Sequence, residues 1–122
     1  MGGDRERIKT LLERAKQAVG VEDNIKLVLY PMKYKVASIS LKNKTIRLNK
    51  NLLELFDEDE LYYILVHELI HIKHSTLNHG EGFYKTLYKL FSPEEADEIE
   101  NRIVKKLVNV ININMRAKRW LT

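Results

Sequence analysis

Apolar residues recur at helical spacing over residues 4–19, where Ile8, Leu11, Leu12, Ala15 and Val19 line one face and Gly20 offers a stop. The spacing predicts an amphipathic helix. Residues 25–30, 36–41 and 45–48 are β-branched runs punctuated by Pro31 and by Lys42-Asn43-Lys44, which predicts a small sheet containing a hairpin. Residues 51–56 suit a short helical turn, and Asp57-Glu58-Asp59-Glu60 then places an N-cap residue three positions ahead of a carboxylate. The helix opened there should run to about His74. Around it Leu61, Ile64, Leu65, Val66, Leu69, Ile70 and Ile72 cover nearly every side, the mark of a helix packed inside the core. Residues 83–91 read as another helix with Leu87 and Leu90 inward. Ser92-Pro93-Glu94-Glu95 is a capping box with proline at the first helical position, opening a last helix that carries Ala96, Ile99, Ile103 and Leu107. Beyond Val108 two periods compete: Val108-Asn109-Val110 and Ile111-Asn112-Ile113-Asn114 alternate like a strand, whereas Leu107, Val110, Asn114, Ala117 and Leu121 keep helical spacing. The pattern leaves that tail unassigned. The order of elements implies an α+β fold: an N-terminal helix, a small twisted sheet, a central helix and C-terminal helices.

A chain of 122 residues fits one compact domain, 1–122. Hydrophobic residues at 44% and charged residues at 31% argue for a globular protein and against disorder. The absence of cysteine excludes disulfides and thiolate-held metals, so any metal must be held by histidines and carboxylates. The net charge of +4 is unevenly spread. Residues 101–122 carry six Lys and Arg and no Asp or Glu, which leaves the first hundred residues acidic overall. A local basic segment reads as a solvated or acid-pairing terminus more readily than as a nucleic-acid face. The first residues lack the basic stretch and apolar run of a secretory signal. The longest apolar-rich run, residues 61–72, is broken by His67, Glu68 and His71 and falls far short of a bilayer span. A cytoplasmic protein without a membrane partner is expected.

All four histidines lie in one window, as His67, His71, His74 and His79. Within it His67-Glu68-Leu69-Ile70-His71 puts two imidazoles four residues apart on the central helix, about 6 Å between Cβ atoms and on one face. One metal ion can reach both. Glu68 is turned about 100° from His67 around the axis, so it flanks the pair and can touch a metal-bound water. A carboxylate inside an apolar stretch is costly unless a site explains it. The pentapeptide is short, and its helical context carries the reading.

A zinc peptidase needs a third protein ligand and an open fourth position. Three candidates exist. His79 lies in Asn78-His79-Gly80-Glu81-Gly82-Phe83, where the glycines let the chain turn back toward the helix. Glu94 or Glu95 could arrive from the last helix, although both suit a capping role. His74 shares the helical face, but a helix rises about 10 Å over seven residues, so His67, His71 and His74 would strain to meet at one tetrahedral ion. His79 is the favoured third ligand, with His74 in outer contact or exposed at the helix end.

These residues resemble the minigluzincins, small soluble archaeal and bacterial metallopeptidases with a His-Glu-x-x-His helix and a histidine as third ligand. The match rests on Val66-His67-Glu68-Leu69-Ile70-His71-Ile72-Lys73-His74, then on Asn78-His79-x-x-x-Phe83, the preceding hairpin and the N-terminal helix. The site alone is also similar to SprT-like DNA-repair proteases. The resemblance implies an edge strand above the cleft, from residues 36–41 or 45–48, that holds an extended peptide by strand addition. It further implies latency conferred by a C-terminal segment, here residues 108–122, acting within the chain or from a second copy.

The implied chemistry is hydrolysis of peptide bonds in a peptide or unfolded protein. One zinc ion would sit on His67, His71 and His79, and Glu68 would be general base and then general acid. Tyr62, Tyr63, Tyr84, Tyr88 and His74 are all candidate oxyanion donors, and the sequence does not choose among them. Two rival readings remain. One is a DNA-associated protease or nucleic-acid-binding zinc module, suggested by Arg116, Lys118, Arg119 and Trp120. The other is a purely structural zinc protein, against which Glu68 argues because a closed site needs no base. The basic segment is expected to face the acidic clusters at 57–60 and 94–100.

Overall fold

The computed structural model describes residues 2–33 and 35–111. Eight elements follow in order: α1 (Gly2–Val19), β1 (Lys26–Tyr30), β2 (Ala37–Ser40), β3 (Thr45–Asn49), a 3₁₀ turn (Lys50–Leu55), α2 (Glu58–His74), α3 (Glu81–Leu90) and α4 (Pro93–Ile111). The fold is α+β, as the hydrophobic pattern implies.

Each helix starts and stops for a local reason. Gly20 takes a φ of +85° past the end of α1, and its N–H and that of Val21 both reach back to the Lys16 carbonyl. Lys73 of α2 donates to the Val19 carbonyl at 2.7 Å, so a distant cation completes the same helix end. The capping box of α2 is formed in both directions, with Asp57 Oδ1 accepting from Glu60 N–H and Glu60 Oε1 accepting from Asp57 N–H, each at 2.9 Å. Ser92 and Glu95 make the equivalent pair at the start of α4.

The core is assembled around α2. Ile8, Leu11, Leu12, Ala15 and Val19 of α1 are all buried. From Glu60 to Ile72 every residue of α2 except Tyr62 is buried. Helices α1, α3 and α4 and strand β2 pack around it. Ala96, Ile103 and Leu107 of α4 are buried as well. That helix continues to Ile111, so helical periodicity prevails over alternation as far as that residue. Residues 112–122, most of the segment expected to confer latency, lie outside the described residues.

Glu60 is fully buried by its neighbours and is met from α4 by the Lys106 ammonium at 2.5 Å and the Arg102 guanidinium at 3.5 Å. The expected attraction between the basic segment and the acidic cluster at 57–60 is therefore made by residues 102 and 106 of the helix.

The sheet runs β1-β3-β2. Strands β2 and β3 form the expected antiparallel hairpin, with Ala37 opposite Leu48 and Ser40 opposite Thr45. Strand β1 adds to the other side of β3 in parallel, from Lys26 opposite Thr45 to Tyr30 opposite Asn49. One of the two edge-strand candidates is thereby corrected: residues 45–48 form the middle strand, flanked on both sides, and residues 36–41 contain an edge. Parallel pairing carries no turn signal, so the hairpin sequence does not reveal on which side a third strand adds.

Asn49, 1% exposed, fixes the segment that delivers β2. Its amide NH₂ donates to the Met32 and Lys35 carbonyls at 2.8 and 2.7 Å, and its Oδ1 accepts from the Met32 and Asn51 N–H groups. Both donors and both acceptor positions of the side chain are used. Asn49→Ala would strip partners from four backbone groups and should cost about 2–4 kcal/mol of unfolding free energy in urea. Asn49→Asp, which turns a carboxylate oxygen toward the Met32 and Lys35 carbonyls in place of the two donors, should cost at least as much at neutral pH.

Candidate metal centre

Burial makes the polar residues of α2 conspicuous. His67 is 6% exposed, and His71 and Glu68 are fully enclosed. Such groups persist in a core only when paired with hydrogen-bond partners or an ion.

The end of α2 supplies the first partner. Ser75 adopts the left-handed conformation at φ 52°, and the Thr76 N–H closes on the His71 carbonyl at 3.2 Å. That reversal brings the Thr76 carbonyl back to His71 Nδ1 at 2.9 Å. The proton is thereby fixed on Nδ1, and the Nε2 lone pair points outward. The Asn78 N–H then folds onto Thr76 Oγ1 at 3.1 Å, and His79 comes just before Gly80, the N-cap of α3.

Three imidazoles meet as a result. His79 Nε2 lies 3.0 Å from His71 Nε2 and 3.2 Å from His67 Nε2. Among the described residues, His67, His71 and His79 form the group of side chains able to hold a metal ion, with donor atoms within 4.8 Å of one another. Bonds of about 2.0–2.1 Å to a tetrahedral zinc ion place neighbouring nitrogens roughly 3.3 Å apart, so the donor spacing fits that ion. Glu94, Glu95 and His74 stand outside the group. Glu95 caps α4, Glu94 is exposed, and His74 Nε2 pairs with Thr86 Oγ1 at 2.9 Å on the surface between α2 and α3.

Electrostatics prepare His71 for a cation. Burial, followed by the neighbouring His67, pushes its pKa down to about 4, outweighing the opposite pull of Glu68 and Thr76. A neutral ring is the form that ligates a metal. The Glu68 carboxylate borders the same compartment, with Oε1 3.3 Å from His67 Nδ1.

Phe83 has a role that the sequence pattern does not assign. Its buried ring lies 4.9 Å from His67, 4.8 Å from His71 and 4.9 Å from His79, centre to centre, and so forms a common floor beneath the three imidazoles. The available signal is its position four residues after His79, within the first turn of α3. Thr76 acts through its backbone carbonyl, which residue identity does not announce.

The candidate oxyanion donors separate. Tyr63 is fully buried and donates its hydroxyl to Glu100, and burial together with that carboxylate drives its pKa well above the ordinary tyrosine range. Tyr62 packs on Phe91 and carries the Arg14 guanidinium over its ring at 5.2 Å, toward α1. His74 is committed to Thr86. Tyr84 and Tyr88 are exposed on α3. The residues that suggested nucleic-acid binding, Arg116, Lys118, Arg119 and Trp120, lie outside the described residues.

Residues 4–106 match the family described as YgjP-like, metallopeptidase domain. The fold superposes on the metallopeptidase zymogen jannalysin of Methanocaldococcus jannaschii with a TM-score of 0.77 and 45% identity, covering 82% of this chain and 96% of that one. The metallopeptidase zymogen abylysin of Pyrococcus abyssi gives the same TM-score of 0.77 at 40% identity, covering 82% and 94%. An uncharacterized protein of Methanocaldococcus jannaschii is 43% identical over 105 residues, 86% of this chain and 96% of that one. The chain belongs to the YgjP-like metallopeptidase family and is a metallopeptidase of the minigluzincin group that its histidine window resembles.

Proposed function

We propose that this metallopeptidase is a zinc-dependent endopeptidase, with His67, His71 and His79 as metal ligands and Glu68 as general base and acid. The observation that carries the reading is the convergence of three Nε2 atoms beside an enclosed carboxylate. Zinc held there would supply Lewis acidity, lowering the pKa of water toward neutrality and polarising the scissile carbonyl. Glu68 takes the proton of the attacking water and returns it to the leaving amine. His71 keeps its ring oriented through Thr76 while this happens, and Phe83 excludes water from beneath the three ligands.

The substrate is an extended peptide or unfolded protein chain, added as a strand to β2. The layout of the sheet supports that edge: β2 packs against α2, whereas the outer side of β1 receives the Arg5 guanidinium on its Leu27 carbonyl at 3.2 Å. Residues 1–122 act as one catalytic domain, and residues 108–122, or those of a second copy, make it latent. Jannalysin and abylysin are both described as zymogens, which supports latency as a property to test in this chain. A cytoplasmic setting goes with this reading; no described helix is long and apolar enough to cross a membrane.

Glu68→Gln should bind about one equivalent of zinc and lose casein hydrolysis by roughly 10²- to 10⁴-fold, whereas His79→Ala should lose the metal itself. Retained hydrolysis in Glu68→Gln would remove the assignment of the base. The low pKa of His71 has a consequence for the metal-free protein. Between about 4 and the ordinary histidine value near 6.5 the unfolded chain binds a proton that the folded chain refuses, so stability is full above that interval and declines as pH falls through it. Urea titrations of chelated protein at several pH values should show this slope, and His71→Asn should flatten it. Ending the chain after Leu107 should raise peptidase activity. If a folded truncated protein is no faster than the parent, latency does not reside in residues 108–122.

A further inference from the structure

Two large aromatic rings stand exposed next to the metal centre. Tyr84 and Tyr88, 41% and 44% exposed, lie along α3 with ring centres 5.6 Å apart and planes inclined by 32°. They form one wall of an open cleft of about 390 Å³ whose opposite wall is Pro93, Ala96, Asp97 and Glu100 of α4. The cleft thus presents two aromatic faces, two carboxylates and a small apolar surface, and among the described residues no cationic side chain lines it.

The cleft is tied to the catalytic helix and close to it. Glu100 accepts the hydroxyl of Tyr63, which sits one turn before His67 on α2. The Tyr84 ring meets Phe83 edge-on at 5.4 Å, and Phe83 is the floor shared by the three imidazoles. The near wall is therefore one ring beyond the metal ligands. An extended peptide advances about 3.3–3.6 Å per residue, so the two-ring separation between Tyr84 and the imidazoles falls within the span of one or two residues and a long side chain.

We propose that this cleft is the subsite for a lysine or arginine side chain of the substrate, its cationic head held between the Tyr84 and Tyr88 rings and the Asp97 and Glu100 carboxylates. The assignment rests on the endopeptidase reading. Aromatic faces attract a cation through their quadrupole, and the carboxylates add a direct charge. Glu94, Glu95 and Glu98 extend the negative field along the first half of α4. The aliphatic stem of a basic residue packs on Pro93 and Ala96. An acidic side chain would meet two like charges, and a short aliphatic one would gain nothing from either carboxylate, so the cleft discriminates by repulsion as well as by attraction.

The test has a turnover arm and a binding arm, both on the full chain with zinc. In the first, unfolded casein is digested and the cleaved bonds are mapped by mass spectrometry, with Glu68→Gln as the blank. Bonds with Lys or Arg at one fixed position should be enriched, and Asp97→Lys should reduce their kcat/KM by roughly five- to tenfold relative to bonds lacking a basic residue. Cleavage without enrichment at any position overturns the subsite while leaving the peptidase reading intact. In the second arm, Nα-acetyl-lysine methylamide, with its ammonium free, and Nα-acetyl-glutamate methylamide are titrated into Glu68→Gln while the ring resonances of Tyr84 and Tyr88 are followed by NMR. Saturable shifts with the lysine compound alone, diminished in Asp97→Asn, support the cleft even if nothing is digested, and the endopeptidase reading is what fails if neither the full chain nor a folded chain ended after Leu107 digests casein. Equal shifts with both compounds, or none, overturn the proposal.

Discussion

Two imidazoles and a carboxylate enclosed within a helix that is itself the centre of the core set the terms for the rest of the molecule. A helix so placed can hold polar side chains only if each finds a partner. The partners come from the segment just past the helix: a left-handed turn at Ser75 that returns the Thr76 carbonyl to His71 Nδ1, and a loop that delivers His79 to the Nε2 atoms of His67 and His71. Because α1, α3, α4 and β2 all pack on α2, the two helical imidazoles have little freedom, and pre-set geometry of this kind is what a metal centre requires.

Helix α4 belongs to this arrangement and is no appendage. It grips the first half of α2 at two polar points inside an apolar contact. Lys106 and Arg102 meet the enclosed Glu60, and Glu100 receives the Tyr63 hydroxyl. Glu60 serves two structures at once, capping its own helix and anchoring the last one. The tyrosine-lined cleft lies between α3 and the same stretch of α4 that makes the Tyr63 contact, so its width depends on how α4 is seated on α2.

How much could be read from the sequence depends on the range of the interactions concerned. The starts of α2 and α4 were legible because a capping box spans three residues and uses side chains with distinctive chemistry, Asp57 with Glu60 and Ser92 with Glu95. The three converging histidines were legible because all lie within one short window joined by a glycine-containing turn. The place of residues 45–48 in the middle of the sheet was not, since it is decided by a parallel strand some twenty residues upstream with no turn between them to advertise it. The partner of His71 was hidden as well, because a backbone carbonyl is common to every residue type. Periodicity placed the tyrosines on helix faces, but it could not say that Tyr63 turns toward α4 while Tyr84 and Tyr88 look into a cleft.

The insertion of β3 between β1 and β2 bears on how the chain reaches this state. Strand β1 precedes the hairpin in sequence, yet its hydrogen-bonding partner is the hairpin's second arm. As the chain emerges from the ribosome, Lys26–Tyr30 has no strand to pair with until Thr45–Asn49 has been made and has turned back. Closing that longer loop costs more entropy than closing the hairpin. Hairpin first and parallel strand second is therefore the cheapest order of assembly, and until the second step is complete the Leu27 side of the sheet remains a sticky surface during synthesis.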